Sequence, residues 1–568
     1  MDARFKPAIA RGDPVTRTCT FALAFLISLG AAARAAQAEP APLVVVIVID
    51  QFRADYIDAF RDYFGEGGFK RVLHDGAWFS NAHLEYGTTA TGPGHASMLT
   101  GTPLAVHGIV ANDWKEFDGK ARGMYCCGDD GVRILGLPEG ARADGRSPRN
   151  LRSGTVGDAM RSAFGPSSRI WTVAIKDRAA ILMGGRSANG AVWFDDGNFV
   201  TSSYYGSALP DWAATLNRER VADRYFKKTW DRLLPSGLYG PRFVVAAGKK
   251  RPGGDAVFPK TIGSRSDQPD KRYYSEMLNS PFGDDLVLEA ARRVVTAEQL
   301  GRDEVPDLLC VGCSSNDIVG HAYGPDSDEV MDMTLRTDRQ LAEFLSWLDE
   351  KVGKGRYLLA ITADHGVGPL TEWAEEAGLG GGRLHEKEIT KSLNERLAER
   401  FHPESSDALV AAVNLPWIYL NEPAVRAAGL ELDRVARAAA DAVSSHPGIA
   451  RAVAVCDLPD SADGSGDDLL DYVRNSYYPG RAGHVYAHWS QYWYKGSKLA
   501  GHGAAYEYDQ HVPVLLMGAG VQPGHYTQAI RPTGMAATLC ALLGIAPPAP
   551  QCTAPLKAAL AASSVASR

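Results

Sequence analysis

Beyond one stretch near its N-terminus, the 568-residue chain has no apolar run of the kind that crosses a bilayer, which takes about 20 residues in a helix. It has no surplus of basic charge either. Lys and Arg number 60 against 67 Asp and Glu, a formal net charge of -7. Such a balance gives no basic face for nucleic acid, although a local positive pocket remains compatible with it. No internal repeat at solenoid periods is present, and no low-complexity tract apart from an Ala-rich tail, so repeat architectures are excluded. Cysteine is scarce, with 8 residues. What is there is ordinary globular material: 45% hydrophobic and 22% charged residues, enough for a large core and unlike disordered, collagenous or coiled-coil chains.

The exceptional N-terminal stretch reads as a leader. Arg4, Lys6, Arg11 and Arg17 precede the apolar run Phe21 to Gly30, and Ala36-Gln37-Ala38 follows. A basic region, a short apolar region and an A-x-A site make a signal peptide over residues 1–38, so the mature chain is expected to begin near Glu39 and to be periplasmic or secreted. The run is short for a retained anchor, and no cysteine directly follows the cleavage site to carry a lipid. Export permits disulfides, and seven cysteines remain after processing, an odd number that leaves at least one free or paired between chains. Cys310 and Cys313 have CxxC spacing but sit in a strand-like run and read as core residues. Cys540 and Cys552 flank a Pro-rich turn that they could staple.

Five apolar runs lack the alternation of a half-exposed strand: residues 43–49, 170–175, 307–312, 357–363 and 512–517. Continuous β-branched runs of this length are expected of strands buried on both faces of a parallel sheet. Amphipathic stretches at 285–300 and 326–352 read as crossover helices. The expected fold is therefore α/β, a three-layer sandwich around a central, mostly parallel sheet. One catalytic domain spans 39–568, and insertions at about 186–280 and 370–510 form a cap.

Chemistry-bearing residues gather at the expected carboxyl ends of these strands, where open α/β sheets place their sites. Asp50 ends the first run. Asp317 and His321 follow the run at 307–312, four apart and so on one face of a helical turn. Asp364 and His365 end the run at 357–363, and His502 lies between two glycines shortly before the last run. Singly, each is more simply a turn former or a satisfied histidine. Together they make a metal site, and mixed imidazole and carboxylate donors favour zinc over all-oxygen magnesium or calcium sites. There are too many groups for one tetrahedral ion but enough for two, an arrangement suited to displacement at phosphorus. A hydroxyl to use it stands in Thr88-Thr89-Ala90-Thr91-Gly92-Pro93-Gly94, a glycine-rich strand-to-helix turn, where Thr91 is the candidate nucleophile. Lys176 and Arg178, just after the run at 170–175, supply the point charge and planar fork suited to a dianionic phosphate, and Asn112 adds a neutral donor.

The segments VVVIVIDQFRADY, TGPGHASMLTGTPLAVHGIVANDW, SPRNL, KDRAAIL, SNDIVGHAYGPDSDEV, TADHG and GHGAAYEYDQHVPVLL, in this order, resemble the alkaline phosphatase superfamily. Within it they are most similar to the phosphate-irrepressible alkaline phosphatases with a threonine nucleophile. The resemblance implies two Zn2+ ions, one held by Asp50, Thr91, Asp364 and His365 and the other by Asp317, His321 and His502. His511, in the same motif, is the rival to His502. It further implies a phosphothreonine at Thr91, phosphate contacts from Asn112, Lys176 and Arg178, small-molecule phosphate monoesters as substrates, and a monomer that binds neither nucleic acid nor, once the signal is removed, a membrane. Two features depart from the family pattern: Gly92-Pro93 where an alanine often follows the nucleophile, and the adjacent Cys126 and Cys127. The alternative enzyme reading is a nucleotide pyrophosphatase or phosphodiesterase. A sulfatase fits less well, because threonine cannot give the aldehyde that sulfatases use. A non-catalytic binding protein is disfavoured by the complete ligand set.

Overall fold

In the computed structural model the described residues are 40–117, 121–141, 143–239, 258–404, 407–459 and 467–561, and the expected leader lies outside them. A ten-stranded sheet runs through the molecule. In chain order its strands are β1 (Leu43–Ile49), β2 (Ala77–Phe79), β3 (Ile134–Leu135), β4 (Ile170–Ala174), β5 (Gly190–Asp195), β6 (Asn198–Ser202), β7 (Asp307–Cys313), β8 (Tyr357–Thr362), β9 (Val514–Met517) and β10 (Gly524–Tyr526). Across the sheet the order is β10-β2-β9-β8-β1-β7-β4-β5-β6-β3. The five central strands β8, β1, β7, β4 and β5 are mutually parallel.

Every residue of β1 is buried. Successive strand side chains point to opposite faces, so burial of all of them requires layers on both sides of the sheet. Each such Val, Leu or Ile contributes about 1.5–3 kcal/mol on leaving water. Helices supply the layers, among them α1 (Thr91–Thr100), α2 (Asp177–Gly184), α3 (Phe282–Ala297), α4 (Ser315–Tyr323) and α5 (Asp328–Leu348). Helix α2 lies against β7, where Gly312 faces Ala179 and Met183.

The run at 512–517 departs from the parallel expectation. Its strand β9 is antiparallel to β8, with Val514 opposite Thr362 and Met517 opposite Leu359. Burial on both faces looks the same whichever way a strand runs, so the apolar pattern carries no direction. Direction follows from where the chain enters, and here it enters from the carboxyl edge of β8.

Part of the 186–280 segment joins the central sheet as β5 and β6, an antiparallel pair. Between residues 370 and 510 a separate four-stranded antiparallel sheet forms from Val410–Asn414, Trp417–Leu420, Ile449–Ala454 and Val485–Trp489. With α6 (Glu386–Phe401) and α7 (Leu432–Ser444) it encloses its own apolar cluster around Leu393, Ile418, Val435 and Trp489. Tyr486 reaches from this sheet to donate to the Gly87 carbonyl at 2.8 Å, which ties the insertion to the segment leading into α1. Cys310 and Cys313 are buried in β7. The staple between Cys540 and Cys552 is not formed, and the Cys552 thiol donates instead to the Thr100 carbonyl at 3.1 Å.

Candidate active site

The register of the parallel strands decides which loops meet. Leu43 of β1 pairs with Asp307 of β7 and with Tyr357 of β8. The strands therefore end level, and Asp50, the segment from Ser314 and Asp364 open at one edge. Because β9 runs the other way, the residues before it, His502 among them, start at that same edge.

Thr91 is the first residue of α1, after Ala90 in extended conformation. A helix N-terminus directs free N–H groups and a positive dipole end at whatever sits there. Pro93 is tolerated because first-turn amides lack helical partners anyway. Both glycines of the turn are needed for close approach. A Cβ on Gly94 would lie 2.3 Å from the Asp364 carbonyl oxygen, and one on Gly92 would lie 3.0 Å from Asn112 Oδ1 and 3.1 Å from Cys126 Sγ. The two departures from the family pattern are thus one packing feature, Cys126 against Gly92. Asn112 Oδ1 accepts from the Gly92 amide at 2.7 Å, which pins the side chain beside Thr91.

Lys176 Nζ donates to Asp50 Oδ2 and Asp317 Oδ2, both at 2.6 Å, and stands 3.4 Å from Thr91 Oγ1. Arg178 Nη2 is 3.5 Å from the same hydroxyl. Behind Arg178, Tyr125 donates to Asp177 at 2.6 Å and Arg146 donates to it at 2.8 Å, so this side of the site is braced by groups that the motifs do not reveal.

The three histidines are oriented alike. His321 Nδ1 bonds the Ala500 carbonyl at 2.9 Å, His365 Nδ1 the Gly366 carbonyl at 2.8 Å, and His502 Nδ1 the Thr89 carbonyl at 2.8 Å. A carbonyl accepts only, so each Nδ1 carries the proton and each Nε2 presents a lone pair. His365 Nε2 faces Asp50 Oδ1 at 3.6 Å and Asp364 Oδ2 at 3.5 Å. His321 Nε2 lies 3.2 Å and His502 Nε2 3.8 Å from Asp317 Oδ1. The His365 and His502 rings stack at 3.7 Å. Asp50 Oδ1 and His365 Nε2 are buried with no hydrogen-bond partner. Acceptors converging on acceptors in a dry site fit a cation, and this donor set suits zinc. Two groups could each hold one ion: Asp317, His321 and His502, and Asp50, Asp317 and His365, with Asp317 common to both.

Electrostatics follow the same pattern. Burial pushes Asp50 up to about 6, reinforced by Asp364 and opposed by Lys176. Burial acts the same way on Asp317, but Lys176 and His321 outweigh it and hold this carboxyl well below the usual range. Burial, followed by the proximity of the His365 and His321 imidazoles, keeps His502 far below its ordinary value, as a neutral ligand requires.

His511 is placed elsewhere. Its Nε2 bonds the Ser80 carbonyl and its ring stacks on His83. Sequence reasoning missed two neighbours of the ligands. His95, fully buried, sets Nδ1 2.9 Å from the Thr91 carbonyl and 3.1 Å from Asp364 Oδ2. Its signal was the four-residue spacing from Thr91 along α1. Gln51, at φ 63°, gives its backbone N–H to Asp364 at 3.0 Å and its side-chain amide to Asp317 at 2.8 Å.

The type I phosphodiesterase / nucleotide pyrophosphatase model matches residues 44–486. The chain belongs to that family. The phosphodiesterase / nucleotide pyrophosphatase match takes in Asp50, Thr91, Asn112, Lys176, Arg178, Asp317, His321, Asp364 and His365 and ends before His502. Relatives extend the likeness over the whole site. Alkaline phosphatase PafA of Elizabethkingia meningoseptica is 34% identical over 528 residues, 90% of this chain and 93% of that one. Alkaline phosphatase PhoV of Synechococcus elongatus is 34% identical over 514 residues, 89% and 90% of the two chains. A protein of Myroides odoratus named a calcium-transporting ATPase is 34% identical over 545 residues, 93% and 95%. The crystal structure of PafA superposes with a TM-score of 0.82 at 31% identity, over 92% of this chain and 99% of that one. A PafA variant substituted at a threonine, an asparagine, a lysine and an arginine superposes at 0.84, with 32% identity over 92% and 99%.

Proposed function

We propose that the protein is an exported, zinc-dependent phosphomonoesterase of the alkaline phosphatase kind, working through a phosphothreonine at Thr91. The observation that carries this is the convergence of Lys176 and Arg178 on Thr91 Oγ1, at 3.4 and 3.5 Å, beside a set of unprotonated imidazole and carboxylate atoms. The relatives' names agree. The PafA variant alters the same four residue types, in the same chain order, as Thr91, Asn112, Lys176 and Arg178. Among the described residues no helix is long and apolar enough to cross a membrane.

Asp50, Thr91, Asp364 and His365 would hold one ion and Asp317, His321 and His502 the other. When bound, the ions supply positive charge for the nucleophilic and leaving oxygens. The residues of the chain do the rest. Arg178, Asn112 and Lys176 hold the phosphoryl oxygens and orient the phosphorus over the N-terminus of α1. Thr91 gives its hydroxyl proton to solvent, its Oγ1 attacks phosphorus, and the ester P–O bond breaks, so that the leaving alkoxide takes up one proton from solvent and departs as the alcohol. Water then cleaves the Oγ1–P bond, releasing phosphate and restoring Thr91. A diester brings a single charge and a second substituent, so two cations beside the nucleophile favour the dianionic monoester over the diester.

Comparing an aryl phosphomonoester with its matching diester at alkaline pH tests this. The expected result is a much larger kcat/KM for the monoester, lost with chelator and regained with zinc. A larger value for the diester would show the enzyme to be a phosphodiesterase.

A further inference from the structure

A second set of metal-type side chains lies on the open surface and shares no residue with the site above. His83 Nε2 is 2.8 Å from Glu507 Oε2 and 3.0 Å from Oε1, and His511 Nδ1 is 3.1 Å from Glu507 Oε1. The two imidazoles stack at 4.5 Å, 15° from parallel. One donor atom from each of the three residues lies within 4.8 Å of the others.

At His511 one ring nitrogen is held by the backbone and the other is aimed at a carboxylate. Its Nε2 sits 2.7 Å from the Ser80 carbonyl, which accepts only, so that nitrogen carries the proton. The neutral ring then turns the Nδ1 lone pair toward a carboxylate oxygen, acceptor against acceptor. A second ring proton or a metal ion between them resolves the conflict, and His83 Nε2 on the same carboxylate supplies the further nitrogen donor that a metal ion takes. The backbone is already in register for one: His83 and His511 face each other in an antiparallel bridge, Leu84 N–H donates to the Gln510 carbonyl at 3.0 Å, and His511 N–H to the Glu507 carbonyl at 2.9 Å. Ligands preset in this way lose little freedom on binding. The side chains of His83, His511 and Glu507 are 30%, 26% and 68% exposed, so an ion there keeps water in its remaining positions.

We propose that His83, Glu507 and His511 bind one further divalent transition-metal ion of the zinc type. Two imidazoles and one carboxylate match that class and not calcium or magnesium. The ion is a clamp. It joins the segment that leads from His83 to Thr91 with the segment that runs from His502 to His511, and so braces nucleophile and imidazole ligand against each other from outside.

Metal content, not turnover, is the readout. Wild type, Glu507→Gln and His511→Ala are equilibrated with micromolar free zinc, dialysed and analysed for zinc per chain, and their thermal unfolding is followed against zinc concentration. Each variant is expected to hold one ion fewer than wild type and to lose the part of the zinc-dependent rise in Tm that this ion causes. Because the readout is a difference, it holds whatever the active site binds. Equal zinc in wild type and Glu507→Gln overturns the proposal. Should His511→Ala fail to fold, the Gln variant, which keeps the shape of the side chain, decides alone.

Discussion

The residues that make the site reactive are the ones whose hydrogen bonds point outward. Thr89, Gly366 and Ala500 offer carbonyls to the Nδ1 atoms of His502, His365 and His321, and this turns three Nε2 lone pairs onto Asp50, Asp317 and Asp364. Those carbonyl partners could not be read from the sequence, because any residue type supplies a carbonyl. The proposed ligand side chains could be located, because Asp50, Asp364 and His365 end unbroken apolar runs and Asp317, His321 and His502 lie within ten residues of one. His95 fell between the two: buried beside Asp364, it looks in sequence like any helix residue. Two predictions belong at this scale. Lys176→Ala or Arg178→Ala should lower kcat/KM for a monoester by about 10²–10³-fold and that for a diester far less. Equal losses would mean that neither cation reads the second phosphate charge. His95→Ala should weaken metal affinity about 10–100-fold by releasing Asp364, measured by competition with a chelator.

At the scale of elements, the contact between α1 and the end of β8 leaves no room at Gly94. Alanine is the better helix former by about 1 kcal/mol, yet Gly94→Ala should destabilise by about 1–3 kcal/mol through overpacking against Asp364. A denaturant melt that shows a gain in stability would refute the clash. Asp307, first residue of β7, gives a pH test away from the proposed metal site. It accepts the Arg169 and Gly301 amides at 2.6 and 2.9 Å, while burial pushes its carboxyl up to about 6. The folded state then keeps a proton that the unfolded chain releases near 3.9. This contribution to stability is full below about pH 4 and is lost as pH rises through about 6. The Tm difference between Asp307→Asn and wild type should therefore move in favour of the variant between about pH 4 and pH 7, and a constant difference would contradict it. The direction of β9 was the element-level surprise, since an apolar run reads the same forwards and backwards.

Over the whole molecule, the layered sheet and the edge that carries the site were legible, because parallel burial leaves unbroken β-branched runs such as Val44-Val45-Val46-Ile47-Val48. The antiparallel sheet of the insertion was not. Its two outer strands are short and half exposed, as in Ile449–Ala454 with Arg451 at the surface, and the pairing that joins its two halves depends on partners more than 60 residues apart, such as Ile418 with Val485. Asp50, Asp317 and Asp364 are all buried, and Lys176 pairs directly with the first two. Stripping metal from the folded protein should therefore lower Tm by roughly 5 °C or more, and zinc should restore it. No change on exhaustive chelation would argue that Lys176 alone neutralises the site.

The reversed strand β9 also sets an order of events during synthesis. Asp50, then Thr91 and its helix, leave the ribosome early, and Asp317, Asp364 and His365 follow at the ends of strands that pair side by side. His502 is placed only when the chain has come back through the insertion and run down beside β8, which Val514 to Met517 accomplish near the C-terminal end. A nascent chain thus carries Thr91, the proposed nucleophile, for most of its production without His502, and the proposed site is complete only near the end of synthesis.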